Sequence, residues 1–361
     1  MKIIYLLRKG LHFYPPCLTQ ILTLNDYKYE IEVYHGNNSK YIDELLDDRG
    51  IIHYTFETDR YNKNRLESAL NFISLGMEAR KVQSSLDKDA ILWLGNLETA
   101  MSLNGSQLKK HKFILNVLEL YDEHTIYDNW LKKYIKNASV VVACEKHRAA
   151  IMQCRYNLKE LPVVIPNKSY DVDIKNKIQD DSIIKSIKTN FIVVYQGIIS
   201  EDRPLDKVAK ALALLGDKSI VFLIMGKCDE RYKSDLKKIY SNILFTGYVP
   251  APQHLLYTQY CNIGIANYDK SLLNNVFCAP NKIYEYTKYR IPILCSDNIA
   301  LEETIGEARA GICLDFLDED IIMKAIQEIK DNYDTYSVNA KEFYCSLNVE
   351  KKINDIICRV C

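Results

Sequence analysis

The feature that most constrains this chain is a double series of short apolar, β-rich runs alternating with helical patterns. In the first series the runs are Lys2–Leu7, Tyr29–Tyr34, Ile51–Phe56, Ala90–Leu94, Phe113–Leu118 and Ser139–Ala143. The clearest intervening helix is predicted over Arg65–Leu86, where Leu66, Leu70, Phe72, Ile73 and Met77 fall near helical spacing. The pattern breaks around Ile165-Pro166-Asn167. Ser169–Lys188 is polar and charged, and reads as a linker or a loop with one short helix. The second series runs through strands at Phe191–Tyr195, Ile220–Met225, Ile243–Thr246, Ile263–Ile265, Ile291–Cys295 and Gly311–Leu314, with helices at Leu205–Leu215 and Arg231–Tyr240. Strand–helix alternation implies parallel strands joined by crossover helices. Largely apolar strands imply sheets covered on both faces. The expected fold class is α/β, with two Rossmann-like domains facing across a cleft: residues 1–168, then 185–339, with a C-terminal helical segment, 340–361, crossing back onto the first. Ligands of such domains sit beyond the carboxyl ends of the strands.

Composition narrows the function. Lys plus Arg and Asp plus Glu both number 47, so the formal net charge is +0. A general nucleic-acid binder needs a basic excess to neutralise phosphates, so no nucleic-acid partner is expected. The 11 cysteines are odd in number and spread along the chain, and Cys144, Cys261, Cys295 and Cys313 lie in or beside apolar runs. Reduced, buried thiols fit this better than a disulfide framework. Cys358 and Cys361 form a CxxC at the chain end with no second ligand pair nearby, which reads as a frayed tail. The opening apolar run stops at Arg8, too short for a signal peptide. No run reaches the roughly 18 apolar residues that span a bilayer. The expected location is the cytoplasm, with peripheral contact to the inner face of the cell membrane.

Two segments carry candidate chemistry. Gly197-Ile198-Ile199-Ser200-Glu201-Asp202-Arg203-Pro204-Leu205 leaves a strand and opens a helix. Gly197 relieves crowding at the strand exit, Ser200 or Asp202 can cap the helix, and Pro204 suits its first turn. Arg203 then stands at a positive helix end, where a diphosphate is stabilised by backbone N–H groups and a guanidinium together. The competing reading is a surface arginine beside an ordinary helix start. In the second segment, Pro280-Asn281-Lys282-Ile283-Tyr284-Glu285-Tyr286, Pro280 starts a short helix. Asn281 and Glu285, at i and i+4, share one of its faces. Glu285 can accept hydrogen bonds from a vicinal diol such as a ribose. Otherwise it pairs with Lys288 or Arg290.

The run PNKIYEYTKYRIPILCSD resembles the PNKxxEYxxxGxPVxxSD block of GT-B glycosyltransferases, especially those similar to family 4, and YQGIISEDRPLDKVAKAL resembles their YQGxxxxxRGLxxLxxAL block. FLIMGK, ILFTGYVPAPQHLLYTQYCNIGIANY and AGICLDF follow in the same order, and LELYDEH, VVVACEKHRAAIM and VIPN resemble acceptor-domain pieces. The resemblance implies a glycosyltransferase that moves a sugar from a nucleotide-diphosphate sugar to a glycan or lipid-linked acceptor. By analogy the outcome is retaining and the product a bacterial surface polysaccharide such as capsule or lipopolysaccharide. It implies that Arg203 binds the donor diphosphate with Lys207 or Lys282, and that Glu285 binds the ribose. The turn Gly247-Tyr248-Val249-Pro250 would lie near the nucleobase, and Gly226 and Lys227 would flank the nucleotide. It implies neither metal nor other cofactor, charge being neutralised by cations and helix N-termini. The family's Glu-x7-Glu pair is broken, because Phe277 stands where the first glutamate belongs; Asn274, Asn275 or backbone would take over that contact. Arg290 replaces the GxP glycine, and Gly197-Ile198 replaces the usual Gly-Arg, leaving one of two expected cations.

In the first domain, Glu119 ends a strand and is a candidate general base or donor-orienting carboxylate. His12 lies on the loop after the first strand and is a second catalytic candidate; His124 and Arg148 are weaker ones. Lys109-Lys110-His111-Lys112 and Trp130–Lys136 are basic stretches suited either to an anionic membrane surface or to solvent. Two other functions fit the same fold: a sugar-nucleotide epimerase, and a non-catalytic partner protein, which the Phe277 substitution would explain.

Overall fold

The computed structural model describes residues 2–56, 65–87, 89–171, 174, 181–199 and 203–361. The chain divides into two compact units, Met1–Tyr170 with Asn348–Cys361, and Asp171–Leu347. Among the described residues, no helix is long and apolar enough to cross a membrane.

Unit 1 holds β1 (Lys2–Leu7), β2 (Glu30–His35), β3 (Ile52–Thr55), β4 (Ile91–Leu94), β5 (Lys112–Val117), β6 (Val140–Ala143) and β7 (Val163–Val164). Their order is β3-β2-β1-β4-β5-β6-β7, every pairing parallel. Central strands are apolar on both faces: β4, Ile-Leu-Trp-Leu, is buried throughout. At the edge, β3 keeps only partial burial, since helices do not need to cover its outer face.

Unit 2 repeats the plan with β8 (Phe191–Gln196), β9 (Ile220–Met225), β10 (Ile243–Gly247), β11 (Ile263–Ala266), β12 (Ile293–Ser296) and β13 (Gly311–Leu314). The order is β10-β9-β8-β11-β12-β13, again parallel. Strand order reverses between β8 and β11, which opens a crevice at their carboxyl ends. Alternate residues feed two cores. Val193 and Tyr195 pack under the Leu205–Leu215 and Glu319–Asp331 helices, whereas Ile192 and Val194 pack with Ile283 and Tyr286 of the Asn281–Lys288 helix.

The polar segment before β8 contains the helix Asp181–Thr189, with Ile183 and Ile187 buried in unit 2. Ser200, Glu201 and Asp202, two of them predicted helix caps, lie outside the described residues. The end of the chain is two helices. Tyr333–Ser346 stays in unit 2, where Tyr284 and Phe343 stack with ring centroids 6.2 Å apart. Val349–Val360 belongs to unit 1, where Tyr29 Oη donates to Asn354 Oδ1 at 2.7 Å and Lys112 Nζ donates to the Val360 carbonyl at 2.8 Å. The return therefore begins at Asn348, later than Ala340, because Asn348 caps a new helix by accepting from the Lys351 N–H. This also corrects the reading of the CxxC as a frayed tail: Ile353, Ile356, Ile357 and Val360 dock that helix, and Cys358 rides on it. All cysteines are free, with Cys144, Cys261 and Cys295 buried and Cys313 partly so.

The Asn281–Lys288 helix stops by a left-handed turn at Arg290, φ 63°, with the Ile291 N–H donating to the Tyr286 carbonyl at 3.1 Å. A Cβ at that φ costs about 1–2 kcal/mol, partly offset by the entropy that glycine would lose on folding. Arg290→Gly should therefore raise stability by about 0.5–1 kcal/mol, read as a higher urea midpoint at unchanged slope.

Candidate functional site

β8 ends at Gln196, and the next residue, Gly197, has φ +130°. A Cβ built on Gly197 would come within 3.5 Å of Lys282 Nζ. Bare backbone is thus what leaves the lysine head reachable. Lys282 is 6% exposed, and its ammonium has no hydrogen-bond partner among the described residues. It lies over the Tyr195 ring, 4.2 Å from the centroid, and 5.4 Å from that of Tyr268. Arg203 stacks on the same Tyr268 ring at 4.8 Å, with Nη1 3.4 Å from Tyr195 Oη. Two like charges thus share one aromatic floor. Burial, and then the charge of Arg203, lower the Lys282 ammonium to about 7, against a pull upward from Glu285. Such an arrangement is unfavourable alone and becomes favourable when an anion enters.

One turn along the Asn281–Lys288 helix, Glu285 is buried. Its Oε2 accepts from Gln196 Nε2 and lies 3.2 Å from His254 Nε2. Gln196 Oε1 in turn accepts from Thr258 Oγ1 at 2.8 Å. The carboxylate is held by this chain of groups rather than by Lys288, which pairs with Asp171 at 2.7 Å, or by the exposed Arg290. Asn281 occupies the first helical position, partly buried. Asn267, fully buried just after β11, has no hydrogen bond at either amide atom among the described residues, so a second polar group stands unmatched there beside the crevice.

The other predicted donor residues sort as follows. The Lys207 ammonium is bound to Glu319 at 2.8 Å, and the second cation beside Arg203 is Lys282. Gly226 follows β9; a Cβ there would lie 2.2 Å from the Gly197 carbonyl oxygen, so the two loops touch backbone to backbone. Lys227 and Tyr248 are exposed and Val249 is half-buried, on the loops after β9 and β10. Phe277 caps a short helical turn, Leu273–Val276, and the Asn275 amide donates to Asp269 at 2.8 Å.

In unit 1, Glu119 follows β5 and is paired with Arg148 at 3.1 Å, its side chain 53% exposed against 4% for the arginine. Arg148, on the helix Lys146–Tyr156, also donates to the Leu118 carbonyl, so it holds the strand end that carries Glu119. His12 sits in the turn Leu11–Phe13 after β1, its ring against Phe13 at 3.9 Å between centroids. His124 precedes the helix Thr125–Tyr134 and packs on Tyr121 and Tyr127. Of the basic stretches, Lys109, Lys110, Lys133 and Lys136 are exposed, whereas Lys132 pairs with Asp128 at 2.6 Å.

Sequence reasoning missed Tyr195, Gln196, His254, Thr258, Asn267 and Tyr268. Tyr195 and Gln196 immediately precede Gly197, and Asn267 and Tyr268 immediately follow β11. A polar or aromatic residue at the carboxyl end of a strand beside the switch point was the available signal.

No family model matches the sequence, and no curated protein does. Among solved structures, the fold is that of the GT-B glycosyltransferases. Anabaena Alr3699/HepE in complex with UDP and glucose has a TM-score of 0.70 at 13% identity, covering 99% of this chain and 98% of that one. A glycosyltransferase from Rickettsia africae ESF-5 has a TM-score of 0.67 at 12% identity, covering 99% and 97%. WaaG, a glycosyltransferase involved in lipopolysaccharide biosynthesis, has a TM-score of 0.65 at 11% identity, covering 98% and 98%.

Proposed function

We propose that the chain is a glycosyltransferase that takes a sugar from a nucleoside-diphosphate sugar and delivers it to a glycan or lipid-linked acceptor in surface-polysaccharide synthesis. The observation that carries this is the Arg203–Lys282 pair on the Tyr195 and Tyr268 rings, beneath Gly197 at the switch point of unit 2. A diphosphate is the ligand that two clustered cations and a helix N-terminus suit best. Glu285, one turn beyond and held by Gln196 and His254, would take the ribose hydroxyls on this reading. Solved structures of the same fold hold UDP or UDP-glucose.

The pair would act chiefly on the leaving group. As the glycosidic bond breaks, charge builds on the diphosphate, and cations fixed in a dry site stabilise it without reorganising. The transfer is metal-independent on this reading, and we assign it a retaining outcome. Glu119 and His12 are the groups of unit 1 proposed to serve the acceptor side. Exposed lysines of unit 1 would rest on the inner face of the cell membrane, next to a lipid-linked acceptor.

The test is a thermal-shift screen against uridine, guanosine, thymidine and cytidine diphospho-sugars, followed by nucleotide release with and without acceptor. One donor should raise the melting temperature. Arg203→Ala should weaken its binding about 10–100-fold, the value of a charge-assisted contact. Glu285→Ala should abolish the shift. Wild-type affinity in both variants would remove the assignment, and turnover without acceptor would point to an epimerase instead.

A further inference from the structure

Unit 1 contains a second polar cluster, at the edge of its sheet, that the transfer reaction does not use. β2 ends at His35 and β3 carries His53, and the register pairs His35 with Thr55. His53 is two residues from that partner, so both imidazoles stand on one face of the sheet. The connecting helix, Lys40–Asp48, places the partly buried Asp43 and the exposed Asp47 one turn apart. Ligand atoms of His35, Asp43 and His53 all lie within 4.8 Å of one another.

The hydrogen count does not close. His35 Nδ1 is 2.7 Å from the Gly36 carbonyl, His35 Nε2 is 2.9 Å from His53 Nδ1, and His53 Nε2 is 3.1 Å from Asp47 Oδ1. Both ends of this row are acceptors. Three contacts need three hydrogens, and two neutral imidazoles carry two. If each outer nitrogen donates, the inner pair, His35 Nε2 and His53 Nδ1, meets lone pair to lone pair. The Asn38 amide, 3.2 Å from His35 Nε2 and 2.9 Å from Asp43 Oδ1, helps His35 but does not reach the shortfall at His53. A third proton, or a metal cation between the rings, removes it.

The outer contacts are those that metal ligands require. A metal-bound histidine gives its other N–H to a carbonyl or carboxylate, and a ligating carboxylate is itself hydrogen-bonded. Here Gly36 serves His35, Asp47 serves His53, and Asn38 serves Asp43. We propose that His35 Nε2, His53 Nδ1 and Asp43 bind a divalent transition metal of the zinc class, with water as fourth ligand. Bonds of about 2.0–2.2 Å set tetrahedral ligand atoms roughly 3.3 Å apart. The two nitrogens then need only about 0.4 Å of separation, and Asp43 a modest swing. The ion would clip the Lys40–Asp48 helix to β2 and the edge strand β3. None of its ligands is a residue assigned to the transfer reaction, so the ion is proposed as a structural one.

The full chain, stripped with a chelator, is titrated with Zn2+ by calorimetry and with Co2+ by absorption. One equivalent should bind, raise the melting temperature, and give tetrahedral Co2+ bands without thiolate-to-metal charge transfer. His53→Gln and Asp43→Asn should weaken binding more than about 100-fold, and Asp47→Asn about 10–100-fold. These positions are at least partly exposed, and an unchanged circular-dichroism spectrum confirms that the variants are folded. If His35→Gln fails to fold, the other three decide. Zn2+ binding of equal strength in His53→Gln, or a thiolate band, would overturn the proposal in favour of the cysteines. No binding at all would overturn it in favour of a shared third proton.

Discussion

Lys282→Met should make the protein more stable and unable to bind its donor. The wild-type lysine is buried with no hydrogen-bond partner among the described residues and with a second cation on the same ring. Replacing a buried, poorly compensated charge by an apolar side chain of similar length stabilises by roughly 1–4 kcal/mol. The gain should depend on pH. With the folded pKa lowered to about 7, the unfolded chain binds an extra proton between there and the ordinary lysine value. Wild-type stability therefore rises with pH across that window, and the advantage of methionine, full below pH 7, fades as pH climbs. Donor affinity moves the other way. Below about pH 7 the ammonium is already charged and affinity is flat; above it, binding must take up a proton, and affinity falls by up to about tenfold per unit. The variant should lose about 100-fold or more in affinity for a nucleoside diphosphate, as when one member of a buried charged contact is deleted. Denaturant unfolding and calorimetry at pH 6, 7.5 and 9 read both effects.

The second large effect is expected of Gly226→Ala, a single methyl group. Its Cβ would sit 2.2 Å from the Gly197 carbonyl oxygen, and that neighbour is backbone, not a flexible side-chain tip. Gly226 is also tied by its N–H to the Gly247 carbonyl at 2.9 Å, and the Gly197 N–H to that of Met225 at 2.9 Å. Neither loop can yield without breaking the ends of β8, β9 or β10. Overpacking of this kind costs about 1–3 kcal/mol. Because Gly197 overlies Lys282, the displaced loop should also weaken nucleotide binding, while the neighbouring Lys227→Ala, exposed, should leave stability within about 0.5 kcal/mol.

Much of the fold was legible in the sequence because buried parallel strands leave continuous apolar runs. Lys2–Leu7 and Ile220–Met225 were recognisable at their full length. β7, two residues long, was too short to leave a period, whereas β3 was readable within Ile51–Phe56 even though it is largely exposed and paired only with β2. The split at Leu347–Asn348 was hidden because two amphipathic helices in succession resemble one; the Asn348 cap was the local clue. At the candidate site, Arg203, Lys282 and Glu285 could be picked out from motifs, since their residue types and their positions in or just before a helix are local properties. The choice between Lys207 and Lys282 could not. It depends on Glu319, more than a hundred residues away, which takes Lys207 into an ion pair. The aromatic floor was equally invisible, because Tyr195 and Tyr268 meet only through the adjacency of β8 and β11.

On the proposed reading, Arg203 and Lys282 form a diphosphate site. Its most direct test is calorimetric titration of the wild-type chain and Lys282→Met with UDP, GDP, TDP and CDP at pH 6.5. One-site binding of at least one of these to the wild type is expected, with loss of that binding in a variant that unfolds at a higher denaturant concentration. Undiminished affinity in Lys282→Met, or no binding of any nucleoside diphosphate to the folded wild type, would contradict it.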